Sequence, residues 1–153
     1  MNLKWYYWYF QSVIPERICD EIIRYGKEQE KETALTGNAS KDKLTKLELK
    51  NIQKKRKSDV VWMDDRWIYN EIQPYIHQAN ASAGWNFDWD FSESCQFTEY
   101  KKGQFYDWHC DSNEEPYNHP ENANTHGKLR KLSMTVSLTD PDEYEGGDLE
   151  FDF

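Results

Sequence analysis

Cysteine is scarce in this chain. Cys19, Cys95 and Cys110 are an odd number at scattered positions, which argues against a disulfide framework and for a reducing compartment. Long apolar runs are missing too, and no window approaches the roughly eighteen apolar residues that cross a bilayer. The opening stretch, Met-Asn-Leu-Lys-Trp-Tyr-Tyr-Trp-Tyr-Phe, has neither an apolar signal core of Leu or Ala nor a small-residue cleavage site. These absences predict an intracellular, cytoplasmic protein with no membrane partner. Positive charge is also short overall. A formal net charge of -9 lacks the basic footprint that a phosphate backbone requires, so no nucleic-acid partner is expected. Internal repeats are absent.

What is present suits one globular domain. The 153 residues can bury a substantial core, and 16% of them are aromatic, including 7 Trp and 10 Tyr. Leu3 to Phe10 is aromatic-rich and predicts a strand. Pro15 and Glu16 then open a helix of about three or four turns, with Ile18, Cys19, Ile22 and Ile23 on its inner face and an end near Gly26. The segment Lys31 to Lys57 holds nine basic and three acidic residues and predicts a solvated insertion, with a short helix around Lys43 to Lys50. Ser58 to Met63 reads as a strand. Asp64 or Asp65 can cap the next helix, whose stripe is Trp67, Ile68, Ile72, Tyr75, Ile76 and Ala79, with Pro74 expected to kink or split it. From Trp85 the chain is predicted to be strand-rich, with Cys95 to Tyr100 and Gln104 to His109 as an antiparallel pair. Lys128 to Leu138 and Asp148 to Phe153 are further strands, separated by a loop over Ser112 to Gly127 and a turn over Pro141 to Gly147. Helices first and short strands afterwards predict an α+β arrangement on a sandwich or open barrel.

The chemistry concentrates between Gln96 and Asp111. A turn at Lys101-Lys102-Gly103 leads into an aromatic stretch ending in His109-Cys110-Asp111. On extended chain an imidazole and a carboxylate two residues apart project to the same side. A neutral imidazole plus a hard carboxylate, with positions left open, is two thirds of the facial triad that holds catalytic Fe(II). The triplet alone is weak, since a surface His beside a solvated Asp is the plainer reading. Cys110, between them, is expected to point into packing, and His77 to be unremarkable. His119 and His126 lie in the following loop and are weak candidates for a third ligand.

Several further pieces fall in a telling order. Arg56-Lys-Ser58 leads into Val60-Val61-Trp62, and Phe105-Tyr106-x-Trp-His109-x-Asp111 comes later. Arg130-Lys-Leu-Ser133 and Asp142-x-Tyr144-x-Gly146-Gly147-x-Leu149 follow. Over roughly residues 56 to 153 the chain resembles the Fe(II)- and 2-oxoglutarate-dependent dioxygenases of the prolyl 4-hydroxylase type. The resemblance implies a double-stranded β-helix, a jelly-roll or cupin-like barrel with the N-terminal helices packed on one sheet. Residues 1–92 would be the supporting region and 93–153 the first part of the metal-binding barrel. It implies Fe(II) held by His109 and Asp111, 2-oxoglutarate as cosubstrate, O2, and ascorbate as a candidate reductant. Tyr100 matches a position whose phenol hydrogen-bonds the cosubstrate, and Tyr106 on the adjacent strand lies near the site; the alternative for each is a barrel-lining aromatic. Arg130 is expected in a structural ion pair, and Gly146 and Gly147 in a turn.

The family also carries a later His and an Arg or Lys for the far carboxylate of 2-oxoglutarate. The sequence reaches Phe153 without them, so it reads as a chain lacking the C-terminal strands of the barrel. The resemblance implies hydroxylation of an amino-acid side chain or small molecule, with small-molecule or peptide substrates as partners. Two other classes compete: a non-catalytic binding domain with a degenerate metal site, and a metal-assisted hydrolase using a loop His.

Overall fold

A computed structural model describes residues 2–29, 32–33, 45, 51, 54 and 56–152. Most of the basic segment, including the short helix expected around Lys43 to Lys50, lies outside the described residues.

Helix α1 spans Glu16–Glu28. Pro15 stands at its N-cap, where a missing N–H costs nothing, and Glu16 complements the positive end of the helix. Ile18 and Ile22, one turn apart, are buried, and so is Gly26 one turn further on. The glycine is there for contact: a Cβ at Gly26 would stand 2.6 Å from the ring of Phe97. Helix α2 spans Arg66–Ala83 and closes on Gly84 in the left-handed region, φ 78°. It runs unbroken through Pro74, contrary to the expected split. Asn70 and Pro74 are both on the exposed side, so the carbonyl deprived of its amide partner faces water. Asp65 holds the N-cap position as predicted, yet its side chain makes no cap bond. It accepts instead from the Tyr25 hydroxyl at 2.9 Å, tying the end of α1 to the start of α2.

Two small antiparallel sheets stand beside the helices. In the first, β3 (Asp59–Met63) lies between β1 (Glu32–Thr33) and β4 (Cys95–Glu99). The second pairs β2 (Arg56–Lys57) with β5 (Phe105–Tyr106). The registers show how the two are related. Val61 faces Phe97 in the first sheet and Arg56 faces Tyr106 in the second. Residues 56–63 therefore run against residues 95–106 throughout. Between the paired blocks one side has Ser58 alone, while the other has residues 100–104. The turn at Lys101 to Gly103 exists, with Gly103 at φ 75° and a 2.8 Å bond from the Gln104 amide to the Lys101 carbonyl. It does not fold β4 back on β5 as predicted; it is an outward loop in a ladder whose partner is the Arg56–Met63 stretch.

One face of the larger sheet carries the core. Val61, Met63 and Phe97 pack with Ile18, Ile22 and Ile68, flanked by Trp67, Ile72 and Leu138. The helices thus pack on one sheet, as expected. The jelly-roll barrel is not seen: the described residues form helices on small sheets. Leu3–Trp5 is a 3-10 turn, its amides bonding locally, where a strand was predicted. Residues 85–94, 128–138 and 148–152 are likewise irregular, because among the described residues no neighbouring strand supplies a ladder for their alternating pattern. Pro141–Glu143 is a 3-10 turn, and Gly146 and Gly147 adopt positive φ, as a turn there requires.

Candidate metal centre

Arg56 makes the corner where the two sheets meet. It is buried, and its Nε donates to Ser58 Oγ at 2.9 Å while Nη2 donates to Gln96 Oε1 at 2.7 Å. Its guanidinium carbon lies 4.4 Å from the centroid of the Tyr106 ring, its cross-strand partner. Tyr106 in turn stacks on His109, with centroids 3.5 Å apart and planes 12° off parallel. Burial pushes the Tyr106 phenol pKa up, although Arg56 pulls the other way. From a buried cation to an exposed imidazole, one contact leads to the next.

Both candidate ligands have their outer atoms occupied. His109 Nδ1 lies 2.7 Å from the Asp107 carbonyl. A carbonyl can only accept, so Nδ1 carries a proton, and in the neutral ring Nε2 is the nitrogen free to bind a metal. That Nε2 is 3.2 Å from Asp111 Oδ1. The second carboxylate oxygen, Oδ2, accepts from Ser133 Oγ at 2.5 Å. The Asp111 carbonyl accepts from Arg130 Nη1 at 2.7 Å, and Arg130 Nε and Nη2 both reach Glu93 Oε2. Arg130 is therefore in the structural ion pair predicted for it. Burial opposes its charge, but Glu93, Tyr117 and Asp111 together outweigh it and the pKa rises.

His109 Nε2 and Asp111 Oδ1 fit a metal ion. Neighbouring ligands at about 2.1 Å from an octahedral ion stand about 3.0 Å apart, and the observed 3.2 Å suits two such positions. Both side chains are open to solvent, at 36% and 47% exposure, which leaves room for further ligands. Among the described residues no group of three His, Cys, Asp or Glu side chains converges. His119 pairs with Glu121 and leans on Tyr117. His77 stacks on Trp89 at 4.4 Å, on α2.

Residues 95–152 match the family model of the 2OG-Fe(II) oxygenase superfamily. The match covers well under half of the chain and supports a 2OG-Fe(II) oxygenase superfamily member. No curated protein and no solved structure matches. The matched segment contains Tyr100, Tyr106, His109, Asp111, Arg130 and Ser133. Tyr106, Arg130 and Ser133 contact the His109–Asp111 pair. Tyr100 is more peripheral: it follows β4, is 49% exposed, and is near enough to Tyr106 to help raise the pKa of the Tyr106 phenol. Cys110 does not point into packing as predicted. The chain is not a regular strand there and the thiol is exposed.

The loop over Ser112 to Gly127 has no helix or strand, as predicted, but it is well bonded internally. Tyr117 N donates to the Lys128 carbonyl and Gly127 N to the Tyr117 carbonyl. Lys128 Nζ reaches Asp90 Oδ2 at 2.7 Å, which holds that carboxyl below its ordinary pKa. Sequence reasoning missed Ser133, Glu93 and the structural weight of Arg56. Ser133 stood in a visible Arg-x-x-Ser motif, and Arg56 in Arg-Lys-Ser among Lys54, Lys55 and Lys57, with no sign that it alone is buried.

Proposed function

We propose that the chain acts as a non-haem Fe(II)- and 2-oxoglutarate-dependent dioxygenase of the prolyl 4-hydroxylase type. Its substrate would be an amino-acid side chain or a small molecule. A double-stranded β-helix goes with this reading, supported by the family match. The observation that carries it is the convergence of His109 Nε2 and Asp111 Oδ1, each with its partner atom engaged elsewhere.

The bound iron and cosubstrate would supply the oxidising power, with O2 consumed, 2-oxoglutarate released as succinate and CO2, and a substrate C–H bond converted to C–OH. The residues have simpler tasks. Asp107 holds the His109 tautomer that offers Nε2. Tyr106 lies flat against the imidazole and restrains its rotation. Tyr100 is proposed to hydrogen-bond the cosubstrate, on the strength of its position in the resemblance. The loop over Ser112 to Gly127 leaves directly from Asp111 and would border the substrate, in keeping with specificity residing on loops of a rigid scaffold.

The test is anaerobic titration of Fe(II) and 2-oxoglutarate into the protein, read by visible absorption. A charge-transfer band of the iron–cosubstrate chelate is expected, and His109→Ala should abolish it while the circular dichroism stays unchanged. Absence of the band from the parent protein, or an equal band in the variant, defeats the assignment.

A further inference from the structure

We propose that Ser133 is a positioning residue for the metal, selecting which oxygen of Asp111 faces it. This rests on the reading of His109 and Asp111 as ligands. A carboxylate has two equivalent oxygens and turns about its own axis, so a lone Asp on exposed chain would present either one, both, or neither. Here the two are made different. Oδ2 accepts the Ser133 hydroxyl at 2.5 Å, within the range of short, charge-assisted O–H···O⁻ bonds, and Oδ1 is left beside His109 Nε2. The hydroxyl can only donate to an ionised carboxylate, and that is the form a metal requires.

The main chain of Asp111 is held from the same side. Arg130 Nη1 bonds the Asp111 carbonyl, and Ser112 Oγ bonds the Arg130 carbonyl at 3.0 Å. Arg130 is itself anchored on Glu93. Main chain and side chain of the ligand are thus fixed by two residues three positions apart, reached across a loop. Ser133 is exposed and its only described hydrogen bond goes to Asp111, so its replacement removes a directing contact without opening the core.

Outer partners of metal ligands are typically worth 10- to 100-fold in affinity. Co(II) replaces Fe(II) as the probe, titrated into the full chain and into Ser133→Ala, Ser133→Thr and His109→Ala, with binding read from the visible spectrum. Ser133→Ala should bind Co(II) about 10- to 100-fold more weakly with an unchanged melting temperature. Ser133→Thr, which keeps the hydroxyl, should restore parent affinity and spectrum. If the parent binds Co(II) through His109 and Ser133→Ala binds it equally, the role given to Ser133 is wrong while the metal site stands. If the parent does not bind, or His109→Ala binds as well, the metal reading falls and the role of Ser133 falls with it.

Discussion

At the scale of single residues, the His109–Asp111 pair derives its order from neighbours remote in sequence. Tyr106 is three positions away and was within reach of pattern reasoning, because both residues belong to one aromatic stretch. Ser133 lies 22 residues beyond Asp111, and only the folded chain brings them together. Arg56 is further still, and its charge alone does not mark it as buried, since Lys54, Lys55 and Lys57 beside it carry the same sign. The stack on His109 gives a specific outcome. Tyr106→Val removes the flat surface behind the imidazole and should weaken Co(II) binding by about tenfold, the lower end for an outer partner. Tyr106→Phe preserves the ring and should bind as the parent does. Titration of both variants decides it: equal loss in the two would assign the effect to the hydroxyl and not to stacking.

Among the elements, legibility followed period and partner. Helices α1 and α2 were readable because their apolar spacing repeats over several turns, and β3 because a short apolar run stands between polar flanks. Strand expectations failed where β-favouring composition or alternation was real but no partner strand stood alongside among the described residues, as in Leu3 to Phe10 and Lys128 to Leu138. A helix satisfies its own amides; a strand cannot. The hairpin expected from β4 and β5 failed for a related reason, because both segments found the same third stretch. Packing between α1 and the larger sheet turns on one missing side chain. Gly26→Ala should gain about 1 kcal/mol of helix propensity yet lose about 1–3 kcal/mol through overpacking against Phe97, since the added carbon would sit 2.6 Å from that ring. Denaturant unfolding should show net destabilisation, partly recovered in the double variant Gly26→Ala with Phe97→Leu. A Gly26→Ala protein more stable than the parent would mean that the ring moves aside without cost.

For the molecule as a whole, order is uneven. The buried apolar residues gather between the helices and one face of a three-stranded sheet. The described residues after β5 hold together through side-chain bonds, local turns and a few crossing backbone bonds. Amide exchange should reflect this division. The slowest amides are expected in residues 59–63, 95–99 and the inner turns of α1, with residues 128–138 exchanging much faster. Protection of 128–138 equal to that of β3 would place a paired strand there and move the fold toward the barrel that the resemblance implies. Among the described residues, no helix is long and apolar enough to cross a bilayer.

The contact between Ser112 and Arg130 shuts the intervening stretch into a closed ring. Everything that steadies Asp111 from this side lies at or beyond the point of closure, on Arg130 and Ser133. Loop-closure entropy rises only by about 0.6 kcal/mol for each doubling of length, so the enclosed residues could be exchanged, lengthened or redesigned at little thermodynamic cost to the ligand pair. The ring behaves as a cassette. Under the proposed function, new substrate preferences could be grafted between fixed ends while His109 and Asp111 stay where they are.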